Sequence, residues 1–177
     1  MRRYIFRGLI DGSLSTLGVV IGAQSADVGI IIAAGIGGGV ANGLSNILGA
    51  FTAEKTETEM KIMKIQKAMV VGPELRKTEF YRDLQKATIL SGIFDGVATI
   101  VGSVIPIVPF VVSLFVEIEK TVALISSIVL TMLLLFLIGG YLGKVSRTNV
   151  IISGIKMAIA GLVTAFVCTL IEHSLIP

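Results

Sequence analysis

One cysteine, one histidine and no tryptophan occur in 177 residues. The lone Cys168 excludes an internal disulfide and a cysteine-based metal cluster, and the lone His173 excludes a multi-histidine site within one chain. A bound metal would have to be held mainly by oxygen, with methionine sulfur as the remaining soft donor. Charge is scarce as well. Only 15% of residues are charged, against about 25% in a soluble domain. The net charge is only +3 and the basic residues lie mostly next to membrane segments, so topology explains them more simply than nucleic acid does. No nucleophile–base pair, no phosphate-cradling loop between strand and helix and no strand-rich segment can be found, so the sequence points away from an enzyme and calls for no prosthetic group.

What is present in excess is apolar residue. Hydrophobic residues make up 54% of the chain, and the mean hydropathy is +0.91. The excess falls in runs of about 20 residues, the length that crosses a hydrocarbon layer about 30 Å thick. Five spans are expected, at 5–24, 28–54, 87–115, 121–143 and 149–171, in an all-α, multi-pass bundle forming a single membrane domain. The basic N-terminus resembles a leader, but the following run carries Asp11 and lacks a small-residue cleavage site, so it reads as a permanent helix. Pro106 and Pro109 remove backbone donors from span three and predict a bend there.

Orientation follows from the bias of Lys and Arg toward the cytoplasmic side. Arg2, Arg3 and Arg7 flank span one, eight Lys or Arg residues lie in 55–86, and Lys144 and Arg147 lie in the loop before span five. The opposite side carries only Lys120, together with the acidic residues Asp27, Glu117, Glu119 and Glu172. A cell-membrane protein with a cytoplasmic N-terminus and an outside C-terminus is expected. Residues 55–86 then form a short cytoplasmic helical hairpin, bent at Gly72 and Pro73.

Two of the spans carry one motif. Residues 8–18 and 92–102 share the pattern G-x-x-D-G-x-x-x-x-x-G, which places Asp11 and Asp95 at the same offset. An acid at bilayer depth costs about 2.5–3.5 kcal/mol on insertion scales, so its retention marks an ion pathway or proton relay by default. Both copies run in the same direction, which puts the two carboxylates at similar depth. Asn42, Ser45, Asn46 and Gly49 fall on one face of span two, near the expected depth of Asp11. A carboxylate with amide and hydroxyl oxygens suits a divalent cation or a proton-coupled site. Interhelical hydrogen bonding would use the same residues, and Lys156 is a rival partner for Asp11. In the hairpin, Glu54, Glu57, Met60, Glu79 and Asp83 could gather metal, or could be a solvated charged face. Gly35, Gly39 and Gly43 form a small-xxx-small ladder suited to close helix packing.

Arg7, Gly8, Asp11 and Gly12 in span one resemble the vacuolar iron transporter family. So do Ala41, Asn42, Gly43, Ser45, Asn46 and Gly49 in span two, Pro106, Pro109 and Phe110 in span three, and Lys156, Met157 and Gly161 in span five. The resemblance covers nearly the whole chain in order. It implies a homodimer with a pathway between subunits, metal capture by the hairpin, and export of Fe2+ or Mn2+ against protons. Asp11 would be the pathway acid, and Glu54 and Glu57 would stand at the entrance. The chain departs from the family pattern in having Asn46 where Met is common, Ala50 where Glu is common, and a shorter, less acidic hairpin. The expected transport pathway is Asp11, Asn42, Ser45, Asn46 and Asp95, and the expected metal ligands are Asp11, Glu54, Glu57, Met60, Glu79 and Asp83. Lipid, a second copy, divalent metal and protons are the expected partners, with no nucleic acid. The alternative is a non-transporting membrane scaffold or accessory subunit whose hairpin binds a partner.

Overall fold

A computed structural model of the protein describes residues 2–69 and 78–175. These residues form five helices: α1 (Arg2–Gly22), α2 (Val28–Met69), α3 (Glu79–Ser113), α4 (Lys120–Val145) and α5 (Val150–Leu175). All five are long and apolar enough to cross a membrane, and no strand occurs among the described residues. Large apolar side chains such as Leu48, Val129, Leu137 and Phe166 stand more than half exposed around the bundle. Water would not tolerate so much contiguous apolar surface; a bilayer covers it.

The sequence contains no helix breaker between Val28 and Met69 except glycines, which lipid-spanning helices accept. Accordingly α2 is one helix of 42 residues, about 63 Å at 1.5 Å per residue, twice the hydrocarbon thickness. Its polar last third and the first turns of α3 therefore continue beyond the membrane as extensions of spanning helices. They are tied side by side: Tyr81 Oη donates to Glu59 Oε1 at 2.5 Å, and the Thr58 and Thr88 hydroxyls are 3.2 Å apart. Thr78 caps α3 by accepting from the Tyr81 backbone N–H at 3.4 Å. Gly72, Pro73 and Glu74, where the sequence predicts the hairpin bend, lie outside the described residues.

Glycine sets the packing of the first three helices. A side chain at Gly8 or Gly12 would strike the α3 backbone at Asp95 or Thr99, and one at Gly102 would strike Leu9. α1 and α3 thus run parallel at very close range. Gly43 and Gly96 abut with α2 antiparallel to α3, and a side chain at Gly39 would collide with Ser103. α4 and α5 make a separate antiparallel pair, where Gly139 and Gly143 meet Ser153, and Gly154 meets Phe136. Both prolines remain inside α3, which continues to Ser113, and Ser127 of α4 donates to the Pro106 carbonyl at 2.6 Å.

At the end bearing the α1–α2 turn, the core is apolar: Val20, Ile31, Phe110 and Ala123 form one buried cluster, Leu17, Ile21 and Ala165 another. The turn itself is held from outside. Gln24 and Ser25 donate to the two oxygens of Glu172 at 2.7 and 2.6 Å, and Lys120 donates to the Ala26 carbonyl at 3.2 Å. The opposite turn, between α4 and α5, closes with Arg147 at φ 56° and the Thr148 N–H on the Gly143 carbonyl at 2.9 Å. Asn149 Oδ1 then caps α5 by accepting from the N–H groups of Ile151 and Ile152.

Candidate functional site

The two aspartates of the repeated motif do not lie level. The glycine contacts put Gly8 against Asp95 and Gly12 against Thr99, so Asp95 sits beside the first turns of α1, and Asp11 lies about one turn further along. The expectation of equal depth fails because the register of α1 on α3 is set by where glycine permits backbone contact, and that register is not the register of the repeat.

Asp11 is half-buried and faces α2. Its Oδ2 accepts from Asn46 Nδ2 at 2.6 Å and from Asn42 Nδ2 at 3.1 Å. Asn42 also donates to Ser15 Oγ at 2.9 Å, and Asn46 to Thr99 Oγ1 at 3.0 Å. Every one of these neighbours is neutral, so the carboxylate is solvated by protein dipoles without being neutralised. Ser15 is exposed and Asn42 half-buried, which puts this network at the margin of the bundle. Lys156, the rival partner, is exposed on α5.

Asp95 is fully buried. Arg7 grips it with two guanidinium nitrogens, Nε on Oδ1 at 3.1 Å and Nη2 on Oδ2. Two parallel charge-assisted bonds of this kind are among the strongest side-chain contacts. The Arg7 side chain is 58% exposed and lies 5.5 Å from the centre of the Tyr4 ring. Asp95 is therefore a neutralised acid.

The four-residue periodicity of α2 produces two glycine-rich faces. Gly35, Gly39 and Gly43 are buried against α1 and α3. Gly29, Ala33, Gly37, Ala41, Ser45 and Gly49 are all exposed, and a side chain at Gly29, Gly37 or Gly49 would meet nothing. Ser45 thus stands on the outward face, while Asn42 and Asn46 turn toward Asp11.

The hairpin acids are spread out. Glu57 is exposed and paired with Lys61 at 2.8 Å; that hydrogen bond and charge hold its carboxyl below the ordinary range. Met60, Glu79 and Asp83 are exposed, and the side chain of Glu54 lies outside the described residues. Among the described residues no three of His, Cys, Asp and Glu come together as a metal cluster.

Sequence reasoning passes over Ser15 and Thr99 as site residues and reads Arg7 as a topology signal and as part of the family resemblance, with no partner assigned to it. The first two carry a signal: each follows its motif aspartate by four residues, one helical turn. Arg7 precedes Asp11 by the same four, which suggests a pair within α1. Its pairing with Asp95 is tertiary and has no local signature.

An uncharacterized protein of Methanocaldococcus jannaschii, MJ0645, is 51% identical over 174 residues, covering 97% of this chain and 88% of that protein. The VIT family profile matches residues 61–173. Metal transport across membranes is the activity that this family suggests, and the chain belongs to the vacuolar iron transporter (VIT) family.

Proposed function

We propose that this protein exports a divalent cation, Fe2+ or Mn2+, from the cytosol through a pathway between two copies of the chain, in exchange for protons. The observation that carries this reading is the environment of Asp11: an intramembrane carboxylate at the edge of the bundle, held by two neutral amides, one of which also bonds the Ser15 hydroxyl, with no cationic side chain against it among the described residues. Asn and Ser side chains can turn their oxygens toward an arriving ion, and a set of carboxylate, amide and hydroxyl oxygens suits a hard divalent cation. A neutral cradle also leaves the negative charge available, where a salt bridge would cancel it.

The outward small-residue face of α2 supports the homodimer. In lipid, helices associate by close packing, and small residues at four-residue spacing allow it. This face includes Ser45 and adjoins Asn42, so a second copy seated there would enclose the Asp11 network between subunits. Glu57, Glu54, Met60, Glu79 and Asp83 would attract cations to the cytoplasmic entrance and loosely ligate them. Asp11 would carry the cation past the membrane centre, and release would follow near Glu117 and Glu119; Asp95, clasped by Arg7, would stand off the route. Protonation of Asp11 would supply the coupling, since a neutral carboxyl gives up its cation. The Lys and Arg asymmetry supports a cytoplasmic N-terminus and an outside C-terminus.

The test is cation flux in vesicles containing the purified full chain, with Fe2+, Mn2+, Zn2+ and Ca2+ offered separately. Uptake of Fe2+ or Mn2+ that collapses in Asp11→Asn supports the reading. Uptake unchanged by Asp11→Asn removes Asp11 from the pathway. Absence of flux for all four ions in the wild type rejects transport.

A further inference from the structure

Where α2 and α3 leave the membrane, they enclose a cleft of about 210 Å³. A site for a drug-sized molecule takes roughly 300–1,000 Å³, so only a small polar group fits inside this one. No charged residue occurs from Val28 to Ala53 of α2 or from Ala87 to Phe94 of α3. The cleft, lined from Phe51 to Glu59 and from Gln85 to Ile89, therefore straddles the edge of the hydrocarbon layer.

Its lining changes in order along the helices. On α2, Phe51, Lys55 and Glu59 follow one another at four-residue spacing, about 6 Å per step. On the antiparallel α3, Ile89 and Gln85 run alongside. From the membrane outward the steps are apolar (Phe51 and Ile89, 40% and 46% exposed), then cationic at Lys55, then acidic at Glu59. Opposite charges one turn apart on a helix usually pair. Here Glu59 is drawn to α3 instead: Tyr81 Oη donates to its Oε1 at 2.5 Å, and Gln85 Nε2 donates to Tyr81 Oη at 2.9 Å. Among the described residues Lys55 forms no ion pair and no hydrogen bond. The Thr58 and Thr88 hydroxyls, 3.2 Å apart, close the back of the cleft.

We propose that this cleft binds one phospholipid, from the leaflet on the hairpin side, whose headgroup ends in a primary ammonium. The parts of such a lipid come in the order of the steps: acyl chain beside Phe51 and Ile89, phosphate at Lys55, ammonium at Glu59. A Lys ammonium meets a phosphate as a compact point charge. A carboxylate that has accepted one hydrogen bond keeps lone pairs for further donors, and a primary ammonium supplies three where a quaternary one supplies none. A headgroup without any ammonium would bring its negative charge toward Glu59 with no compensation. Bulk electrostatics pulls the other way, because eight Lys or Arg residues in 55–86 favour anionic lipid. A preference for the zwitterion is therefore a signature of the cleft. Residues 49 and 51 point to opposite sides of α2, so a second copy seated on the Gly49 face leaves the cleft open. The inference rests on the membrane embedding of the helices and not on cation transport.

The experiment measures the intact mass of the purified full chain in detergent while lipids of matched acyl chains are titrated in. The probes are phosphatidylethanolamine, phosphatidylcholine and phosphatidylglycerol, with soluble glycerophosphoethanolamine as the headgroup alone. Wild type should bind phosphatidylethanolamine about tenfold more tightly than the other two lipids. Lys55→Met should weaken that binding about tenfold, as loss of a charge-assisted contact does. Glu59→Gln should erase the preference over phosphatidylcholine. Lys86→Met, at similar height on α3 but outside the cleft, should bind as wild type does. Equal binding of the three lipids, or preference for the anionic one, overturns the inference. So does an equal loss in Lys86→Met and Lys55→Met, which marks a diffuse basic surface. Glycerophosphoethanolamine that competes as well as the whole lipid overturns the membrane as the source of the ligand. If Lys55→Met fails to fold, Glu59→Gln decides the question: a lost preference supports the site, and a kept one refutes it.

Discussion

Asp11 and Asp95 occupy the same position in two copies of one motif, yet they live in opposite electrostatic conditions. Asp95 is fully buried and clasped by Arg7. Asp11 is half-buried and faces amides and, through Asn42, a serine. The difference teaches that an intramembrane acid is not in itself a transport residue. What matters is whether its charge is already cancelled. A carboxylate locked to a guanidinium joins α1 to α3, and one held only by neutral dipoles is the kind that the proposed transport reading requires.

The strongest way to break this comparison is to treat both acids as structural. Arg7→Gln leaves a fully buried carboxylate without its counter-charge; such a loss costs about 3–5 kcal/mol where both partners are buried, and water around the 58%-exposed Arg7 puts this one at the lower end of that range. Thermal unfolding in detergent should show that loss, and Arg7→Gln combined with Asp95→Asn should recover most of it, because no charge is then stranded. Asp11→Asn should change the same melting temperature little. A destabilisation by Asp11→Asn as large as that by Arg7→Gln would erase the distinction.

A second contrast, between the two glycine faces of α2, gives a smaller effect. Gly43→Leu forces a side chain into Ile100 and the Gly96 carbonyl, and overpacking of this kind costs about 1–3 kcal/mol. Gly37→Leu enters open space, so the protomer should melt as before while the association of copies weakens. Disulfide trapping through Gly37→Cys, with Cys168→Ala in the background, reads that association directly. Failure to trap a dimer would place the interface elsewhere. The smallest expected effect is at the hairpin. Lys61 holds the Glu57 carboxyl below its ordinary range, so Lys61→Met should raise it. Any stabilisation from the pair is present above the unfolded carboxylate range and disappears as pH falls through the lowered value. Carboxyl chemical shifts followed against pH would show the change, and an unmoved titration would mean the pair does not persist in solution.

Much of the fold is legible in the sequence because a bilayer asks for runs of apolar residue, and five such runs are present. Their ends are less legible. Polarity makes the hairpin arms look like a separate segment, but they continue α2 and α3, since nothing between Ile47 and Lys67 stops a helix and polarity alone does not. The candidate site is legible in parts. Expected depth alone brings Asp11, Asn42 and Asn46 together, and their hydrogen bonds are seen. The fate of Asp95 is not legible, because it depends on the offset of α1 against α3. That offset is decided by the meeting of Gly8, Gly12 and Gly102 with facing backbone. The two faces of α2 have the same difficulty. Residues 35 and 37 point to opposite sides of a helix, and composition does not say which side receives α3.

The central claim is that the acid without a counter-charge holds the cation. Titration of Mn2+ into the purified protein, comparing Asp11→Asn with the charge-matched Arg7→Gln, Asp95→Asn double variant, tests it most directly. The account predicts that Asp11→Asn weakens binding by about a hundredfold, as loss of a charged ligand should, and that the double variant binds as wild type does. Wild-type affinity in Asp11→Asn, or loss of affinity confined to the double variant, would contradict it.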